Sequence, residues 1–502
     1  MRAWVLALAC AACAPEGSAP DSPGTPSTPG SPGSPGTKRA ERGRWNVVVI
    51  SIDTLRADAL GAYGQELPTS PCFDALARES ILFERALSQA GVTAPSHMSL
   101  MTSLYPTVHR VANVEAGAQS AERARRVRLS DHARTLADVL GASGRRTAAF
   151  VGRGNVIGEL GFDRGFELFD QDRANGMNGN REELFDATRV ERWIGEHAHE
   201  PFFLFVHTYI PHGPYLPPPP WDRAFVDPEY RGTIPSNRAA FYAGVGGDYA
   251  REWRSYWSHV RRDDPADVEH LRRLYWGETR HADDALARLL AALRAAGVYE
   301  RTLLVVLSDH GEEFQEHGAF EHDGDLYEEH VRVPLVLRVP GHAARRVATP
   351  VGLIDVMPTV CELVGVAGPK EMQGGSLVPL LDGGAEARAT FGETVLAWRV
   401  DPASGSRSIL ASVQSVRTDS WTLIARKSAG NTIEELYDRR SDPGEQRDLA
   451  RAPESAAALG KLRAALAAHD ARCAELARRF EGSEIELSEQ ANEDLRALGY
   501  VK

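Results

Sequence analysis

The chain has 502 residues, of which 43% are hydrophobic and 25% charged, and its formal net charge is −12. These values are typical of a soluble globular protein with room for one large domain and a smaller one. The negative charge and the lack of a basic stripe argue against nucleic acid as a partner. Five cysteines, with no metal-type spacing among the last three, do not support a disulfide scaffold.

The first 44 residues are typical of a secretion and anchoring segment. Residues 1–13, MRAWVLALACAAC, combine one arginine, an apolar run too short to span a membrane and small residues before a cysteine, as in a signal peptide. This cysteine resembles that of a bacterial lipobox, with Cys10 or Cys13 as the lipid acceptor; a plain cleaved signal is the alternative. Residues 14–44 are predicted to be a disordered Pro/Gly/Ser linker. We therefore expect an exported lipoprotein, periplasmic or at the cell surface, held on a membrane by an N-terminal lipid.

Residues 45–384 are predicted to form an α/β domain. Runs with the length and hydrophobicity of strands buried on both faces lie at Trp45–Ile52, Thr147–Val151, Phe202–Val206, Leu303–Leu307 and Val333–Val339. Amphipathic helices are predicted at Leu129–Ser143, Arg181–His197 and Ala266–Ala296. The alternation predicts a three-layer sandwich, in which helices cover both faces of a large, mostly parallel central sheet.

Two other regions have a different pattern. Residues 211–264 are rich in Pro, Tyr and Trp without clear periodicity, which predicts long loops over a binding site. Residues 385–502 contain short alternating segments, ILASVQSVRTD and WTLIARK, and then a helix-like tail at Glu454–Arg479. We predict a C-terminal subdomain with a small antiparallel sheet and a packing helix.

Three of the predicted strands end directly in polar side chains of catalytic type. Asp53 follows VVVISI, His207 follows FFLFV, and Asp309 and His310 follow LLVVLS. Sites in α/β sheets form beyond the carboxyl ends of the strands, so these side chains are expected to share one site. Asp53, Asp309 and His310 supply two carboxylates and an imidazole, a ligand set that suits one divalent ion.

The segment 91–110, GVTAPSHMSLMTSLYPTVHR, contributes a candidate nucleophile. Thr93 stands at the start of a predicted helix, with a proline two places later, and free N–H groups at that end attract anions. We interpret Thr93 as the nucleophile and as a further metal ligand, although an ordinary N-capping threonine is the alternative. His97 lies on the same helical face, and His212, together with His207 and His97, is a candidate to hold an anionic ester or protonate its leaving group.

The sequence resembles the sulfatase family of the alkaline-phosphatase superfamily from about residue 46 to residue 450. The resemblance rests on NVVVISIDTLRADALGAYG, TAPSHMSLMTSLYPTVHRV, PFFLFVHTYIPHGPY, SDHGEEFQEHG with LYEEHVRVPLVLRVPG, and ELYDRRSDPGEQRDLA, in the family's order. It implies an alkaline-phosphatase-like fold and a metal-assisted site that cleaves anionic esters. The ion would be Ca, Mn, Mg or Zn.

The chain departs from the family pattern at the reacting groups. Sulfatases place a cysteine or serine, the precursor of a formylglycine aldehyde, at the position of Thr93, and threonine cannot give an aldehyde. His97 replaces an arginine, and Thr54 stands where a second metal-binding aspartate is common. No lysine occurs between Lys38 and Lys370, so Arg153 or the histidines would replace the sulfate-contacting lysines. We therefore expect no formylglycine and favour direct attack by the threonine, as in phosphoryl-transfer branches of the superfamily.

Three functions are consistent with these residues. The first is an exported, metal-dependent hydrolase of sulfate or phosphate esters that works through Thr93. The second is a transferase of the phosphoglycerol or phosphoethanolamine type. The third is a surface binding protein without turnover, which the presence of all three charged metal ligands argues against.

Overall fold

The computed structural model describes residues 43–112, 126–152, 154–171, 187–245, 249–322, 324–384, 388–400, 407–428 and 430–485. The predicted signal segment, both candidate lipid acceptors and nearly all of the linker lie outside these ranges.

The strands and helices of the described residues are numbered in chain order. The strands are β1 (Asn46–Ile52), β2 (Ile81–Phe83), β3 (Ala86–Leu87), β4 (Arg126–Val127), β5 (Arg146–Val151), β6 (Leu168–Asp170), β7 (Phe202–Thr208), β8 (Thr302–Leu307), β9 (Glu313–Phe314), β10 (Phe320–Glu321), β11 (Arg332–Val333), β12 (Leu335–Arg338), β13 (Arg345–Val347), β14 (Val351–Gly352), β15 (Thr390–Val400), β16 (Arg407–Arg417), β17 (Trp421–Ser428), β18 (Asn431–Asp438) and β19 (Glu484–Ile485). The helices are α1 (Pro71–Arg78), α2 (Thr93–Thr102), α3 (Pro106–His109), α4 (Leu136–Ala142), α5 (Ala187–His197), α6 (Arg238–Val245), α7 (Tyr249–Trp257), α8 (Pro265–Ala295), α9 (Glu328–Val331), α10 (Val356–Val364), α11 (Val378–Leu381) and α12 (Ala456–Ala477).

A large central sheet organises the described part of the chain. Its strand order is β13-β2-β12-β8-β1-β7-β5-β6. Strand β1 pairs in parallel with β7 and β8, and β5 pairs in parallel with β7 and β6. Strand β12 runs antiparallel to both β8 and β2. The predicted mostly parallel sheet is therefore confirmed, with β1 in its interior between β7 and β8.

Helices cover both faces of this sheet. Val47 and Val49 of β1 belong to one buried apolar cluster, and Val48 and Ile50 belong to another, because successive strand residues point to opposite faces. Helices α2, α4 and α10 contribute to the first cluster, whereas α1, α5 and α8 contribute to the second. The predicted three-layer arrangement is confirmed.

The predicted strands are all observed, but one of them is divided. The run Val333–Val339 forms β11 and β12, which are separated by Pro334. Proline has no N–H to donate to a strand ladder, so the two parts join different sheets.

Several helix and loop predictions need correction. The helix predicted at Leu129–Ser143 begins only at Leu136, where Thr135 and Asp138 form a capping box. The region predicted as loops at 211–264 contains α6 and α7, so that prediction was wrong in part. Helix α8 matches its prediction within one residue at each end. Residues 181–186 of the helix predicted at Arg181–His197 lie outside the described residues, and α5 forms the rest.

The predicted C-terminal antiparallel sheet is confirmed. Strands β15, β16, β17 and β18 pair in chain order, each antiparallel to the next. Helix α12 packs on this sheet through Leu459, Leu462 and Leu466. No helix among the described residues is both long enough and apolar enough to cross a membrane.

Candidate active site

The carboxyl ends of β1, β7 and β8 bring the predicted side chains together. Ser51 of β1 is in register with His207 of β7 and with the last residue of β8. Asp53 follows β1 directly, and Asp309 and His310 follow β8 after one serine. All four predicted side chains have no exposed surface. They meet because neighbouring parallel strands end at the same edge of the sheet.

Asp53, Asp309 and His310 form a compact cluster of donor atoms. One ligand atom from each lies within 4.8 Å of the other two. His310 Nδ1 lies 2.9 Å from the carbonyl oxygen of Gly311, and a carbonyl can only accept, so Nδ1 carries the proton. His310 Nε2 is therefore a lone-pair donor, 3.4 Å from Asp309 Oδ2 and 3.9 Å from Asp53 Oδ1.

This cluster fits a divalent ion. Among the described residues, Asp53 Oδ1 and Asp309 Oδ2 have no hydrogen-bond partner although both are buried. Burial raises the pKa of each carboxyl to about 7, and the charge of Asp53 adds to the rise for Asp309. Two carboxylates packed without compensating cations are costly, and a bound divalent ion removes that cost.

The Thr93 side chain faces the cluster of Asp53, Asp309 and His310 and does not cap its helix. The N-cap of α2 is Val92, which makes no side-chain capping bond, and Thr93 is the first helical residue. The Thr93 hydroxyl oxygen lies 3.2 Å from His310 Nε2. The capping alternative is therefore not observed, and the hydroxyl lies at the helix N-terminus beside the candidate metal ligands.

His97 and His207 hold the carboxylates in place. His97 Nδ1 lies 2.9 Å from the Thr93 carbonyl oxygen and 3.3 Å from Asp309 Oδ2, while its Nε2 lies 2.9 Å from the Ser51 hydroxyl. His207 Nε2 lies 3.1 Å from Asp53 Oδ2. Burial lowers the pKa of both histidines to about 4, so both are neutral at pH 7.

These contacts change the roles predicted for the two histidines. Both nitrogens of His97 are engaged, by the Thr93 carbonyl and the Ser51 hydroxyl, and His207 Nε2 is engaged by Asp53. The sequence suggested that His97 and His207 contact the ester; the geometry instead makes His207 a positioning residue for Asp53 and packs His97 beside Asp309.

His212 lies in an outer group of side chains with His322. Its Nδ1 donates to the carbonyl oxygen of Gly213 at 2.8 Å, and its ring meets the His322 ring edge-on at 4.9 Å. The His322 ring is in turn 4.4 Å from the His310 ring. Burial lowers the pKa of His212 to about 3. Of the predicted catalytic histidines, His212 is therefore the one placed to meet the outer part of a substrate.

The segment EHGAFEHDG at residues 316–324 contains two histidines, and one of them joins the site. His322 Nδ1 lies 2.9 Å from Glu312 Oε1, so this pair joins the site. His317 instead lies 2.5 Å from Glu329 Oε1 and 2.8 Å from the Glu445 carbonyl oxygen, which places it against the C-terminal part of the chain. Only the position of Glu312, two residues after His310, offered a sequence signal for the Glu312–His322 pair.

Thr54, which replaces a common family aspartate, has an unusual backbone conformation. Its φ is +53°, a left-handed value that is rare for a β-branched residue. Its N–H donates to Asp309 Oδ1 at 3.3 Å, and its carbonyl accepts from the Tyr275 hydroxyl at 2.7 Å. This turn therefore fixes Asp309 through the backbone, and such strain is common at functional sites.

Among the described residues, no arginine forms an ion pair with Asp53 or Asp309. Arg56, the nearest in sequence to Asp53, pairs with Asp58 and Glu316 and donates to the Glu312 carbonyl oxygen. Arg153, the candidate to replace a family lysine, lies outside the described residues.

The chain is similar to several known proteins. The Sulfatase family model matches residues 45–366, and the model named N-sulphoglucosamine sulphohydrolase, C-terminal, matches residues 315–472. Arylsulfatase K of Bos taurus is 29% identical over 185 residues, which are 37% of this chain and 34% of that protein. The match thus spans about a third of that relative's length.

Two further proteins match over most of the chain. The multifunctional alkaline phosphatase superfamily protein PehA of Trinickia caryophylli is 26% identical over 426 residues, covering 71% of this chain and 80% of that protein. The crystal structure of the phosphonate monoester hydrolase of Agrobacterium radiobacter is similar with a TM-score of 0.66 at 24% identity, covering 86% of this chain and 96% of that one. The latter similarity shows that the fold is alkaline-phosphatase-like, as expected.

Proposed function

The chain belongs to the sulfatase family, and on that basis we propose that it is a metal-dependent hydrolase of sulfate or phosphate esters with Thr93 as its nucleophile. One observation carries the proposal. The Thr93 hydroxyl lies at the N-terminus of α2, 3.2 Å from His310 Nε2, beside two buried carboxylate oxygens that lack hydrogen-bond partners among the described residues. A hydroxyl in that setting is placed to attack an anionic ester.

Asp53, Asp309 and His310, with the hydroxyl oxygen of Thr93, would hold one divalent ion, for which Ca, Mn, Mg and Zn are the candidates. When bound, such an ion lowers the pKa of a neighbouring hydroxyl and screens the repulsion between the nucleophile and the ester. Thr54 N–H donates to Asp309 Oδ1, His97 packs beside Asp309, and His207 holds Asp53 in place.

The reaction is a double displacement. The Thr93 hydroxyl gives its proton to water, its oxygen forms a bond to the sulfur or phosphorus of the ester, and the bond to the leaving alcohol breaks. His212 is the candidate to contact the outer part of the ester, the leaving oxygen takes its proton from water, and the free N–H groups at the start of α2 attract the anion. Water then cleaves the Thr93 ester and releases sulfate or phosphate.

Threonine favours phosphoryl over sulfuryl chemistry in this proposal. Its extra methyl group prevents oxidation to an aldehyde, so the hydroxyl itself must attack and no formylglycine is expected. PehA is named a multifunctional protein, which supports testing several ester classes.

The test measures ester hydrolysis for each combination of metal and substrate. Purified protein, freed of metal with a chelator, is supplied with Ca, Mg, Mn or Zn and assayed on an aryl sulfate, a phosphate monoester and a phosphate diester. We expect turnover of a phosphate ester that depends on added metal, and none in Asp309→Asn. Faster turnover of aryl sulfate would contradict the phosphoryl preference. Absence of metal binding would favour the binding-protein alternative, and product transfer to an added glycan alcohol in place of water would favour the transferase.

We also propose the domain limits and the location of the protein. Residues 45–384 form the catalytic domain, and residues 385–502 form the C-terminal subdomain. The sequence MRAWVLALACAAC supports export and lipid attachment at Cys10 or Cys13, followed by a linker at 14–44. Mass spectrometry of the N-terminal peptide from Cys10→Ser and Cys13→Ser proteins identifies the acceptor; an unlipidated N-terminus in the wild type would contradict the anchor.

A further inference from the structure

A second group of potential metal ligands lies where the C-terminal helix meets the C-terminal sheet. It consists of Glu393 on β15 and of His469 and Cys473, one turn apart on α12. Each of the three side chains is 1% exposed. None of them belongs to the candidate active site.

The three donor atoms converge on one point. His469 Nε2 lies 2.6 Å from Glu393 Oε1 and 3.5 Å from Cys473 Sγ. Ligand atoms from all three residues lie within 4.8 Å of one another. Carboxylate, imidazole and thiolate are the three ligand types that Zn²⁺ combines.

The geometry is not that of a thiol–histidine–carboxylate catalytic group. Such a group uses one imidazole nitrogen for the thiol and the other for the carboxylate. Here Cys473 and Glu393 both approach His469 Nε2 most closely, and His469 Nδ1 is 4.0 Å from the sulfur. One nitrogen cannot take the proton of the thiol while it donates to the carboxylate.

The distances suit a tetrahedral zinc centre once the Cys473 side chain turns, because its sulfur, 3.5 Å from His469 Nε2 and 4.0 Å from Nδ1, lies beside the imidazole ring and not in front of Nε2. Ordinary Zn–N and Zn–S bond lengths put the nitrogen and sulfur about 3.5 Å apart in a tetrahedral site. The observed separation of Cys473 Sγ and His469 Nε2 is 3.5 Å. The nitrogen and the carboxylate oxygen would be about 3.4 Å apart, so Glu393 Oε1 must withdraw by about 0.8 Å to admit the ion.

Neighbouring groups fix the orientation of the ligands. Glu393 Oε2 accepts from the Thr107 N–H at 2.9 Å, which leaves Oε1 directed at His469. The His469 ring is stacked on Phe391 at 4.1 Å and meets the Tyr105 ring edge-on at 4.4 Å. Outer hydrogen bonds and packing of this kind orient metal ligands in known sites.

We propose that Glu393, His469 and Cys473 form a second metal site, which takes a divalent ion of the zinc class. His469, Tyr105 and Phe391 also line a cavity of about 620 Å³, and a water from this cavity is the candidate fourth ligand. The ion would tie α12 to β15, and through Thr107 to α3, the helix that follows the Thr93 helix. It would therefore stabilise the contact between the C-terminal subdomain and the segment that carries the nucleophile.

The test uses the full chain with its active-site ligand removed, so that only the second site is measured. Asp309→Asn protein is stripped of metal and titrated with Co²⁺, which gives a thiolate-to-cobalt charge-transfer absorption when a cysteine binds it. We expect this absorption in Asp309→Asn, its loss when Cys473→Ser or Glu393→Gln is added, and its retention with Cys361→Ser, a matched control at another buried cysteine. Zinc should raise the unfolding temperature of all proteins that show the absorption and of none that lack it.

An absorption that persists in Cys473→Ser, or its absence from the Asp309→Asn protein, would overturn the proposal. If Cys473→Ser fails to fold, X-ray absorption at the zinc edge of the Asp309→Asn protein decides. One sulfur ligand with nitrogen and oxygen supports the site, and a zinc environment without sulfur refutes it. These readouts do not depend on ester hydrolysis, so the second site stands or falls separately from the proposed function.

Discussion

Replacing Asp309 with asparagine should stabilise the metal-free protein at neutral pH while abolishing metal binding at the active site. Burial and the neighbouring Asp53 raise the pKa of Asp309 from 3.8 to about 7. A carboxyl with a raised pKa in the folded state contributes stability that is present below pH 4 and lost as the pH rises through 7. The asparagine side chain stays neutral, and its oxygen can still accept from the Thr54 N–H.

The expected magnitude follows from the size of the shift. Roughly three pKa units correspond to ~4 kcal/mol of unfolding free energy, as an upper value for one fully buried carboxyl. That is a large part of the 5–15 kcal/mol or so that is typical of a folded domain. Metal-free wild type and Asp309→Asn should therefore have similar stability at pH 4, and the variant should be the more stable at pH 8.

Urea denaturation followed by tryptophan fluorescence measures this difference, and the chain has nine tryptophans. The series runs from pH 4 to pH 8 in the presence of a chelator, with Asp382→Asn as a control at an exposed carboxyl. Added divalent metal should reverse the order at pH 8, because only the wild type binds it. The reasoning is refuted if the two metal-free proteins have the same pH dependence, or if the wild type is the more stable at pH 8.

Three other substitutions test separate parts of the account. His212→Gln should raise KM by ~10-fold with little change in kcat, since it removes a neutral ring that contacts the outer part of the substrate and gives it no proton; a loss of kcat confined to esters of poor leaving groups would contradict this. Gly311→Ala should lower the free energy of unfolding by about 1–3 kcal/mol, since the new Cβ would collide with the Glu329 carbonyl oxygen. It should also weaken metal binding, because residue 311 follows the candidate ligand His310. Unchanged calorimetric unfolding and unchanged metal affinity would contradict this. Burial alone would lower the pKa of His317, but its bonds to Glu329 and the Glu445 carbonyl raise it to about 9. Its stabilising effect should thus be complete below pH 6.5 and lost towards pH 9, and a constant difference in unfolding temperature between wild type and His317→Gln would refute it.

The sequence was sufficient to predict where the site lies. Asp53, Asp309 and His310 each follow a continuous apolar run, and the ends of adjacent parallel strands necessarily meet. Thr93 was identified from a different local pattern, a proline two places later and a histidine four places later in a predicted helix. These signals are local in sequence, which is why they could be read without a structure.

The roles of individual histidines could not be predicted from the sequence. His97, His207 and His212 have the same side chain. Only the structure shows that a ring nitrogen of His97 lies beside Asp309 and that one of His207 lies beside Asp53. Glu312 and His322 meet because they flank β9 and β10, which pair as an antiparallel hairpin. The start of α4 was likewise missed, because its capping box at Thr135 competes with an apolar pattern that begins six residues earlier.

The cluster on α12 illustrates a second limit. His469 and Cys473 have the spacing of helical neighbours, but Glu393 is contributed by a distant strand. Cysteine spacing alone gave no metal signal, since the site contains only one cysteine.

The role of Thr93 is tested most directly by comparing kcat/KM of wild type, Thr93→Ser and Thr93→Ala on the preferred ester, with bound metal measured in each sample. If the Thr93 hydroxyl is the nucleophile, Thr93→Ala should lose at least ~1,000-fold in kcat/KM with metal still bound, and Thr93→Ser should remain within ~10-fold of wild type. Metal-loaded Thr93→Ala protein with wild-type kcat/KM on the aryl sulfate, the phosphate monoester and the phosphate diester would contradict that role.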